Sequence, residues 1–383
     1  MDDVVSQSPS FFAFALLVYS IYNIEATTMI SPYYSKAVWG AFSGIAALYS
    51  TVTHVALGCL HPFGVRLQNT LPSMPQLPEA NNRVAIVTGS NTGIGLETTK
   101  ALVERGFTVI MACRSRDKAE AAIDSISASG KAVFVHPLDL SSIESVKDFS
   151  KAVAEKYKHV DVLINNAGRS TSGQGEGDLD LCFQTNFLGH FVLTQELLPL
   201  LLKAKKGRIV NLASVMHHYC RDAEVHDYEY WKSCARYDPE SASTYSPSKL
   251  AALLFTVALR QRYPQLTSIA INPGSVNSDI WRGFPRFIIP IFRAIFLTTQ
   301  QGSSCSVAAA TLADDNLPLY LQPYWMPIRS KRTPHPIFET LGPYAGYVPT
   351  APRLPADGGT FEAEALWRAS EELTKCKFPV GQR

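Results

Sequence analysis

Long uncharged runs near the N-terminus give way, further along, to short apolar runs separated by glycine turns and amphipathic stretches. From Ala37 to Leu60, the sequence AVWGAFSGIAALYSTVTHVALGCL carries no formal charge, and about twenty apolar residues are enough to cross a bilayer as a helix. An earlier apolar run, from Phe11 to Tyr22, is shorter and is followed by Glu25. The pattern predicts a membrane anchor of one spanning helix or a two-helix hairpin; the alternative is a buried helix that packs on the main domain.

A polar segment follows this apolar region. We expect residues 1–66 to form the membrane-anchoring segment and residues 67–82, which read LQNTLPSMPQLPEANN, to form a Pro- and Asn-rich linker. Arg66 and Arg83 follow the second apolar run, and basic residues favour the cytosolic side of a membrane. The expected location is the endoplasmic reticulum or another organelle membrane, with the rest of the chain facing the cytosol.

After the linker, strand, glycine-turn, helix and strand patterns follow one another in RVAIVTGSNTGIGLETTKALVERGFTVIMACRS. This order is typical of a βαβ unit, which implies a parallel sheet with helices on its faces. Further strands are expected in KAVFVHPLDL, ending at Asp139, and in VDVLINNAG. The predicted fold is an α/β, Rossmann-type doubly wound parallel sheet in a single catalytic domain, 83–316. A Pro/Tyr-rich insertion, 317–358, and a C-terminal helix and tail, 359–383, complete the predicted organisation.

The first strand-to-helix turn contains Gly89, Gly93 and Gly95. Their missing side chains let backbone N–H groups approach a pyrophosphate at a helix N-terminus. Arg114 ends the second strand, where many NAD-binding folds carry an acidic residue that binds the adenosine ribose. Because an arginine pairs with a 2′-phosphate instead, the sequence favours NADP(H) as the cofactor.

The segment STYSPSKLAALLF places Tyr245 and Lys249 four residues apart, on one face of a helix. Pro247 is tolerated in a first helical turn, so the helix is predicted to begin just before Tyr245, with Ser241 or Ser243 as its cap. We expect the lysine cation to favour the ionised phenol and to bring its pKa closer to working pH. An ordinary amphipathic helix is the alternative interpretation of the bare pair.

Composition excludes some functions. The chain of 383 residues is 46% hydrophobic and 18% charged, with a net charge near +2, so it offers no broad basic field for nucleic acid. The seven cysteines form no CxxC pair, which favours reduced thiols over a disulfide framework. His217, His218, Cys220 and His226 are ligand types, but their spacing fits no established zinc site, and no metal is predicted.

The ordered motifs TGSNTGIG, LDL, NNAG, QTNFLGHF, GRIVNLAS, YSPSK and NPGSVNSDI resemble those of the short-chain dehydrogenase/reductase family, from roughly Arg83 to Ala313. EALWRASEEL resembles the family's terminal helix. Within the family, VIMACRS, NFLGHFVLTQELLPLL and TTQQGSSCSVAAA are most similar to the membrane-associated retinol-dehydrogenase-like branch. Members of that branch handle lipophilic alcohols and aldehydes with NADP(H).

The resemblance implies a catalytic set of Asn186, Ser214, Tyr245 and Lys249. In the implied mechanism Tyr245 is the acid/base, Ser214 donates to the substrate oxygen and Asn186 anchors a water that feeds protons towards the lysine. Asp139 is expected at the adenine, Asn165 at the neighbouring ribose, and the segment from Pro273 to Ser278 at the nicotinamide. The predicted cofactor-binding residues are Gly89, Ser90, Asn91, Thr92, Gly93, Ile94, Gly95, Arg114, Asp139, Asn165, Ala167, Gly168, Tyr245, Lys249, Pro273, Gly274, Val276 and Ser278.

Three features depart from a compact family member, and a fourth segment falls where the family places its variable substrate lid. The thirty residues between Ser214 and Tyr245 predict a loop whose aromatic side chains line a substrate pocket or are simply exposed. Residues 281–297 suit a lid that lies in a membrane interface or covers the pocket without lipid contact. The insertion 317–358 is interpreted as an ordered flap, a partner surface or a mobile segment. Arg169 is charged near the pocket mouth and is expected to affect substrate choice.

The predicted function is NADP(H)-dependent interconversion of a lipophilic alcohol and its aldehyde or ketone, such as a retinoid, polyprenoid, steroid or fatty aldehyde. The expected partners are this substrate and membrane lipid, without nucleic acid; a homodimer is left open. Two alternatives stand beside this function. One is a related enzyme that reduces a carbon–carbon double bond, and the other is a non-catalytic NADP(H)-binding membrane scaffold.

Overall fold

The computed structural model describes residues 83–126, 130–220, 226–241, 243–278, 280, 296–312, 317–325, 344–349, 354 and 357–379. Apart from Glu240 and Ser241, they belong to one compact unit. The predicted membrane segment, the linker and most of the predicted lid lie outside the described residues. Among the helices that are described, none combines the length and the apolar character needed to cross a bilayer.

Strands and helices alternate from the first described residue onwards. The strands are β1 (Val84–Thr88), β2 (Thr108–Ala112), β3 (Ala132–Val133), β4 (Val162–Asn165), β5 (Arg208–Leu212), β6 (Thr267–Ile271), β7 (Tyr320–Trp325) and β8 (Tyr344–Pro349). The α-helices are α1 (Gly93–Glu104), α2 (Arg116–Asp124), α3 (Ile143–Lys156), α4 (Leu181–Phe183), α5 (Gly189–Lys203), α6 (Tyr228–Ala235), α7 (Tyr245–Arg262), α8 (Thr299–Thr311) and α9 (Thr360–Thr374). A π-helix, Gln184–Leu188, joins α4 to α5, and a 3₁₀ helix, Val215–Tyr219, follows β5.

The described strands form one sheet in the order β3-β2-β1-β4-β5-β6-β7-β8. The pairings from β3 to β7 are parallel, and β8 is antiparallel to β7. This confirms the predicted Rossmann-type parallel sheet, in which chain order reverses between β1 and β4 and ligands bind beyond the carboxyl ends of the strands. β3 is shorter than predicted and ends well before Asp139; it has one strand neighbour, and Pro137 lacks the N–H that a ladder needs.

Aromatic side chains from three helices and the C-terminal segment pack together on one side of the sheet. Phe191 on α5 lies 5.4 Å from Phe255 on α7 between ring centroids, and 4.9 Å from Phe378. Trp367 on α9 lies 4.4 Å from Phe378. The predicted terminal helix is therefore confirmed, and its apolar face anchors the helix that carries Tyr245.

The sheet continues into the segment that composition assigned to an insertion. The predicted boundary at residue 316 falls just before β7, which pairs with β6 through Ile271 and Leu321, and β8 extends the sheet again. Arg260 on α7 secures the entry to β7, because its guanidinium donates to the carbonyls of Ser268 and Pro318, each at 2.6 Å. The described parts of 317–358 thus extend the sheet instead of interrupting it.

Replacing Phe378 by Ala should lower the free energy of unfolding by about 3 kcal/mol, because truncation of a buried aromatic side chain leaves a cavity. Phe361→Ala is the matched control: this ring is 57% exposed, and we expect a loss below about 0.5 kcal/mol. Chemical denaturation of both variants measures the difference. Equal losses would contradict the packing role of the C-terminal segment.

Candidate active site

Helix α7 begins at Tyr245, as predicted, and Pro247 occupies its first turn. The residue at the cap is Thr244, and its hydroxyl is directed to Asp180 Oδ1 instead of the helix N–H groups. Ser243 takes part of the predicted capping role, since its hydroxyl accepts a hydrogen bond from Tyr245 N at 3.3 Å. The start of α7 is thus fixed by a tertiary contact as well as by local sequence.

Asp180 is the buried carboxylate that holds this helix start. Its Oδ1 accepts hydrogen bonds from the backbone N–H groups of Cys182 and Phe183, both at 2.9 Å, and from Thr244 Oγ1. Since it also caps α4, one side chain joins the beginnings of two helices. Sequence reasoning missed this junction.

Tyr245, Lys249 and Ser214 meet at the carboxyl end of β5. The Lys249 ammonium lies 5.6 Å from the centroid of the Tyr245 ring and donates to the carbonyl of Leu212 at 2.8 Å. The Tyr245 hydroxyl is hydrogen-bonded to the Ser214 side chain. An ammonium has three donors, so one bond to Leu212 leaves donor capacity beside the phenol.

Burial sets the protonation of this pair. Burial raises the pKa of Tyr245, and the hydrogen bond from Ser214 only partly opposes the rise. Burial also lowers the pKa of Lys249 to about 8. The expectation that Lys249 brings the pKa of Tyr245 down is not met, because loss of hydration raises that pKa and only the hydrogen bond with Ser214 opposes the rise.

Asn186 lies in the π-helix Gln184–Leu188, a distortion that is frequent at functional sites. Its Oδ1 accepts from Arg169 N at 2.8 Å, and its Nδ2 donates to Arg169 O at 2.9 Å and to Ser248 Oγ at 3.0 Å. Its side chain therefore fixes the backbone that follows NNAG against α7. This positioning contact differs from the predicted role as a water anchor.

The glycine turn has the geometry that a dinucleotide needs. Gly89 and Gly93 have φ angles of +64° and +60°, which side chains other than glycine rarely adopt. A Cβ on Gly95 would collide with the Gly89 carbonyl. Helix α1 starts at Gly93 without a side-chain cap or an acidic residue in its first turn, so its N-terminal N–H groups suit an anion.

The NNAG segment links this turn to the catalytic helix. A Cβ on Gly89 would lie 3.1 Å from the Cα of Ala167, and one on Gly168 would lie 3.7 Å from Lys249 Nζ. The Thr88 hydroxyl accepts hydrogen bonds from the backbone N–H groups of Asn166, at 2.8 Å, and Ala167, at 2.9 Å. The structure thus brings these predicted cofactor and catalytic segments together.

The segment after β6 reaches the same place. Gly274 has a φ angle of +82°, and buried Val276 packs so closely on Gly302 of α8 that a Cβ there would collide with it. A Cβ on Gly93 would lie 3.8 Å from that of Ser278. The other predicted positions also lie here: Asn91 and Thr92 between β1 and α1, Ile94 in the first turn of α1, and Pro273 directly after Asn272.

Two predicted cofactor residues turn their side chains into the protein. Asn165 is 4% exposed, and its amide donates to Asn211 Oδ1 at 2.8 Å and Thr194 Oγ1 at 3.2 Å. Ser90 is fully buried and contacts the Cys113 thiol. Both side chains are therefore unavailable to a ribose or phosphate, because the protein encloses them; only their backbone groups remain for a cofactor.

Arg114 and Asp139 lie together beyond the ends of β2 and β3. The Arg114 side chain is 75% exposed and approaches Asp139 Oδ2 only to 3.9 Å. Asp139 Oδ1 accepts hydrogen bonds from the backbone N–H and the hydroxyl of Ser141. An exposed guanidinium with so long a contact is available to a phosphate, so this edge fits the adenosine end of a dinucleotide phosphate.

The extension after Ser214 is anchored on the C-terminal helix. His226 Nδ1 lies 2.8 Å from Glu362 Oε1, and Lys232 Nζ lies 2.8 Å from Glu372 Oε1. Burial alone lowers the pKa of His226, but hydrogen bonds to Cys220 and Glu362 outweigh it and raise the pKa to about 9. Trp231 is only 1% exposed, so this aromatic side chain belongs to the core and not to a pocket wall.

Several residues of the site escaped sequence reasoning: Thr88, Asp180, His190 and Ser248. Each is a polar side chain inside or beside an apolar run and is buried in the structure. Buried polar groups are almost always hydrogen-bonded. A polar residue in or beside an apolar run is therefore the sequence signal that would have pointed to these four residues.

Within the described residues, no group of His, Cys, Asp and Glu side chains is arranged to hold a metal ion.

The chain is similar to known dehydrogenases along most of the described region. The sequence profile of the family described as short chain dehydrogenase matches residues 83–225. Retinol dehydrogenase 11 of Mus musculus is 38% identical over 244 residues, covering 61% of this chain and 74% of that protein. Retinol dehydrogenase 12 of Mus musculus is 38% identical over 250 residues, covering 62% of this chain and 75% of that protein.

Solved structures share the architecture. A crystal structure of an uncharacterized protein from Mycobacterium Paratuberculosis matches with a TM-score of 0.58 at 31% identity, covering 79% of this chain and 97% of that chain. The Pseudomonas aeruginosa RhlG/NADP active-site complex matches with a TM-score of 0.51 at 23% identity, covering 63% of this chain and 94% of that chain. At this lower identity the likeness concerns the fold alone.

Proposed function

This chain belongs to the short-chain dehydrogenase/reductase family, in its retinol-dehydrogenase-like branch, and on that premise we propose that it interconverts a lipophilic alcohol and its aldehyde or ketone with NADP(H). The observation that carries the proposal is the meeting of Tyr245, Ser214 and Lys249 beside the NNAG segment. Relatives named retinol dehydrogenase support a retinoid-like substrate. The uncharged run from Ala37 to Leu60 supports attachment to a membrane.

The three side chains have distinct tasks in carbonyl reduction. The glycine turn and the NNAG segment would hold NADPH, which would supply the hydride for carbonyl reduction. As negative charge develops on the substrate oxygen, the Tyr245 hydroxyl donates its proton and the Ser214 hydroxyl hydrogen-bonds the same oxygen. The charged Lys249 stabilises the phenolate that Tyr245 becomes. In the oxidation direction the phenolate accepts the proton from the alcohol.

The raised pKa of Tyr245 suits a role as the acid in carbonyl reduction. A buried phenol remains protonated at neutral pH and is ready to act as an acid. Lys249, with a pKa of about 8, keeps most of its charge at pH 7. Proton transfer from Tyr245 is then favoured because the phenolate forms beside the Lys249 ammonium. The attraction between the two charges is strong there because burial removes water from the site.

A reductase assay tests the assignment directly. Purified full-length protein in detergent, with NADPH and a panel of long-chain aldehydes that includes retinal, should form the corresponding alcohols. Tyr245→Phe should lower kcat by about 10²- to 10⁴-fold, since it removes the acid but keeps the ring. Tyr263→Phe, at the C-terminal cap of the same helix and hydrogen-bonded to Pro379 O, is the matched control and should keep wild-type turnover.

Product analysis separates the alternatives. An alcohol identifies carbonyl reduction, whereas a saturated carbon–carbon bond would identify the double-bond reductase. Binding of NADPH without any turnover would favour the scaffold. Equal turnover in Tyr245→Phe and wild type would overturn the proposed mechanism.

Arg114→Gln should raise KM for NADPH by about tenfold or more and change KM for NADH by less than about twofold, because a charge-assisted hydrogen bond contributes ~1.5–3 kcal/mol. Arg116→Gln is the control, since this neighbouring guanidinium pairs with Glu120 at 3.3 Å. Initial rates at varied cofactor concentration measure both variants. An equal effect on NADPH and NADH would remove Arg114 from 2′-phosphate recognition.

The pH dependence should follow Lys249. Below pH 8 the ammonium is charged, and above it the charge is lost, so kcat/KM for carbonyl reduction should fall by about tenfold per pH unit above pH 8. Initial rates at low substrate concentration between pH 6 and 10, on the same aldehyde, measure the profile. A flat profile up to pH 9.5 would contradict the assignment.

The pH dependence of the free energy of unfolding identifies the titrating group without a turnover assay. Between pH 8 and 10, folded Lys249 is largely neutral while the unfolded lysine keeps its proton up to its ordinary pKa of 10.5. Because the unfolded state binds more protons there, rising pH favours folding. The free energy of unfolding of wild type relative to Lys249→Met should therefore increase by about 2 kcal/mol over this window.

A further inference from the structure

His190 is a buried histidine outside the predicted catalytic set, and both of its ring nitrogens have partners. Its Nε2 lies 2.9 Å from Thr88 Oγ1, and its Nδ1 lies 3.0 Å from the backbone oxygen of Asn186. The ring is 3% exposed, so its contacts are made within the protein. It therefore spans the space between the end of β1 and the π-helix that contains Asn186.

The partners fix where the proton lies. A carbonyl oxygen only accepts hydrogen bonds, so Nδ1 must carry a proton and donate it to Asn186 O. The Thr88 hydroxyl already accepts from the N–H groups of Asn166 and Ala167, which occupies both of its lone pairs. Its own proton is then free to be donated to Nε2 at 2.9 Å, which is closer than the alternative acceptor, Ile164 O, at 3.3 Å.

A neutral ring satisfies every one of these contacts. Burial lowers the pKa of His190 to about 4, and the nearby Lys249 charge acts in the same direction, while the bond to Asn186 only partly opposes them. A proton on Nε2 would leave that nitrogen facing a hydroxyl whose lone pairs are taken. The imidazole is thus held as one tautomer, with one donor and one acceptor.

The two ends of this bridge lead to different parts of the site. On one side, Thr88 holds the first residues after β4, and Asn166 Nδ2 donates back to Thr88 O at 2.7 Å. On the other side, the π-helix presents the side chain of Asn186, which fixes Arg169 and Ser248. Ser248 is the residue before Lys249 on α7. His190 therefore connects the dinucleotide side to helix α7 through Asn186.

We propose that His190 is a positioning residue whose neutral imidazole, protonated on Nδ1, locks the Asn186 carbonyl to Thr88 and so keeps the catalytic helix aligned with the cofactor turn. The inference rests on the proposed oxidoreductase function for its consequence, which is correct placement of Tyr245 and Lys249 relative to the transferred hydride. A displacement of about 1 Å at such a site can cost roughly 10²-fold in rate.

Three substitutions divide the bridge into its two halves. His190→Phe keeps the ring but removes both polar atoms. His190→Asn can place its amide nitrogen near the position of Nδ1 and keep the bond to Asn186 O. His190→Gln reaches further, to the position of Nε2, and can accept from Thr88.

Phe191→Leu is the matched control for loss of stability. It alters the next residue of α5, whose ring packs in the aromatic cluster against Phe255, Trp367 and Phe378. All variants are compared as full-length protein, at a temperature at least about 15 °C below the lowest melting temperature. A residue that merely supports the core changes the melting temperature without changing kcat under these conditions.

The kinetic test compares the change in kcat with the change in KM for each variant. His190→Phe should lower kcat by about 10- to 100-fold, with KM for the aldehyde and Kd for NADPH changed by less than about threefold. His190→Asn and His190→Gln should each recover part of the loss. Phe191→Leu should retain wild-type kcat. Wild-type kcat in His190→Phe, or equal losses in all three His190 variants, would overturn the proposal.

Hydrogen exchange decides the linkage without relying on turnover. His190→Phe should raise amide exchange by about fivefold or more in both segments that the bridge joins, 164–168 and 184–190. Phe191→Leu should not raise exchange in 164–168. If wild type reduces no aldehyde but exchange rises in both segments, the proposed function fails and the linkage stands. If exchange rises in 184–190 alone, the linkage is overturned even in an active enzyme.

Discussion

A buried lysine is the feature on which the rest of the site depends. Lys249 is 5% exposed and hydrogen-bonds the last carbonyl of β5, at Leu212. Loss of hydration disfavours the charged form of Lys249 and lowers its pKa to about 8. Because this value lies close to neutral pH, the ammonium keeps most of its charge there. The same burial keeps Tyr245 protonated. The pair is therefore poised for proton donation by its shared environment, and the NNAG segment, the π-helix and β5 all serve to build that environment.

Placing polar groups in this environment requires a connected network. Behind the catalytic residues, Asn165 donates to Asn211, and Asn211 donates to Thr256 at 2.9 Å. Asn165 Oδ1 has no hydrogen-bond partner among the described residues, and it borders a cavity of about 10 Å³ that is also lined by Asn186 and His190. That volume is about what one water molecule needs, so the asparagine network has room to include a solvent molecule. Because its side chain hydrogen-bonds within this network, Asn165 contacts groups inside the protein instead of the ribose of a cofactor.

The extension between Ser214 and Tyr245 shows how this scaffold is supported from outside. Helix α6 binds to α9 through His226 with Glu362 and Lys232 with Glu372, while α9 itself packs on the aromatic cluster beneath α7. The hydrogen bond from Trp231 Nε1 to His226 O, at 3.1 Å, adds a neutral contact to the charged ones. Helix α6 of the long insertion after Ser214 is thus held against the C-terminal helix.

The sequence by itself determined the parallel α/β sheet, the glycine turn, the start of α7 at Tyr245 and the meeting of Tyr245 with Lys249. Those features depend on local spacing: apolar runs, glycines at a strand-to-helix turn, proline in a first turn and residues one helical turn apart. Only the tertiary structure decided that β7 and β8 extend the sheet through a Pro- and Tyr-rich segment, since composition there left an ordered flap, a partner surface and a mobile segment equally open. It alone decided that Asn165 and Ser90 turn inward, that Asn186 fixes Arg169 and that burial raises the pKa of Tyr245. Each of these properties depends on which residues, distant in sequence, surround a side chain. Packing between helices and strands decides those surroundings, and neighbours along the chain do not.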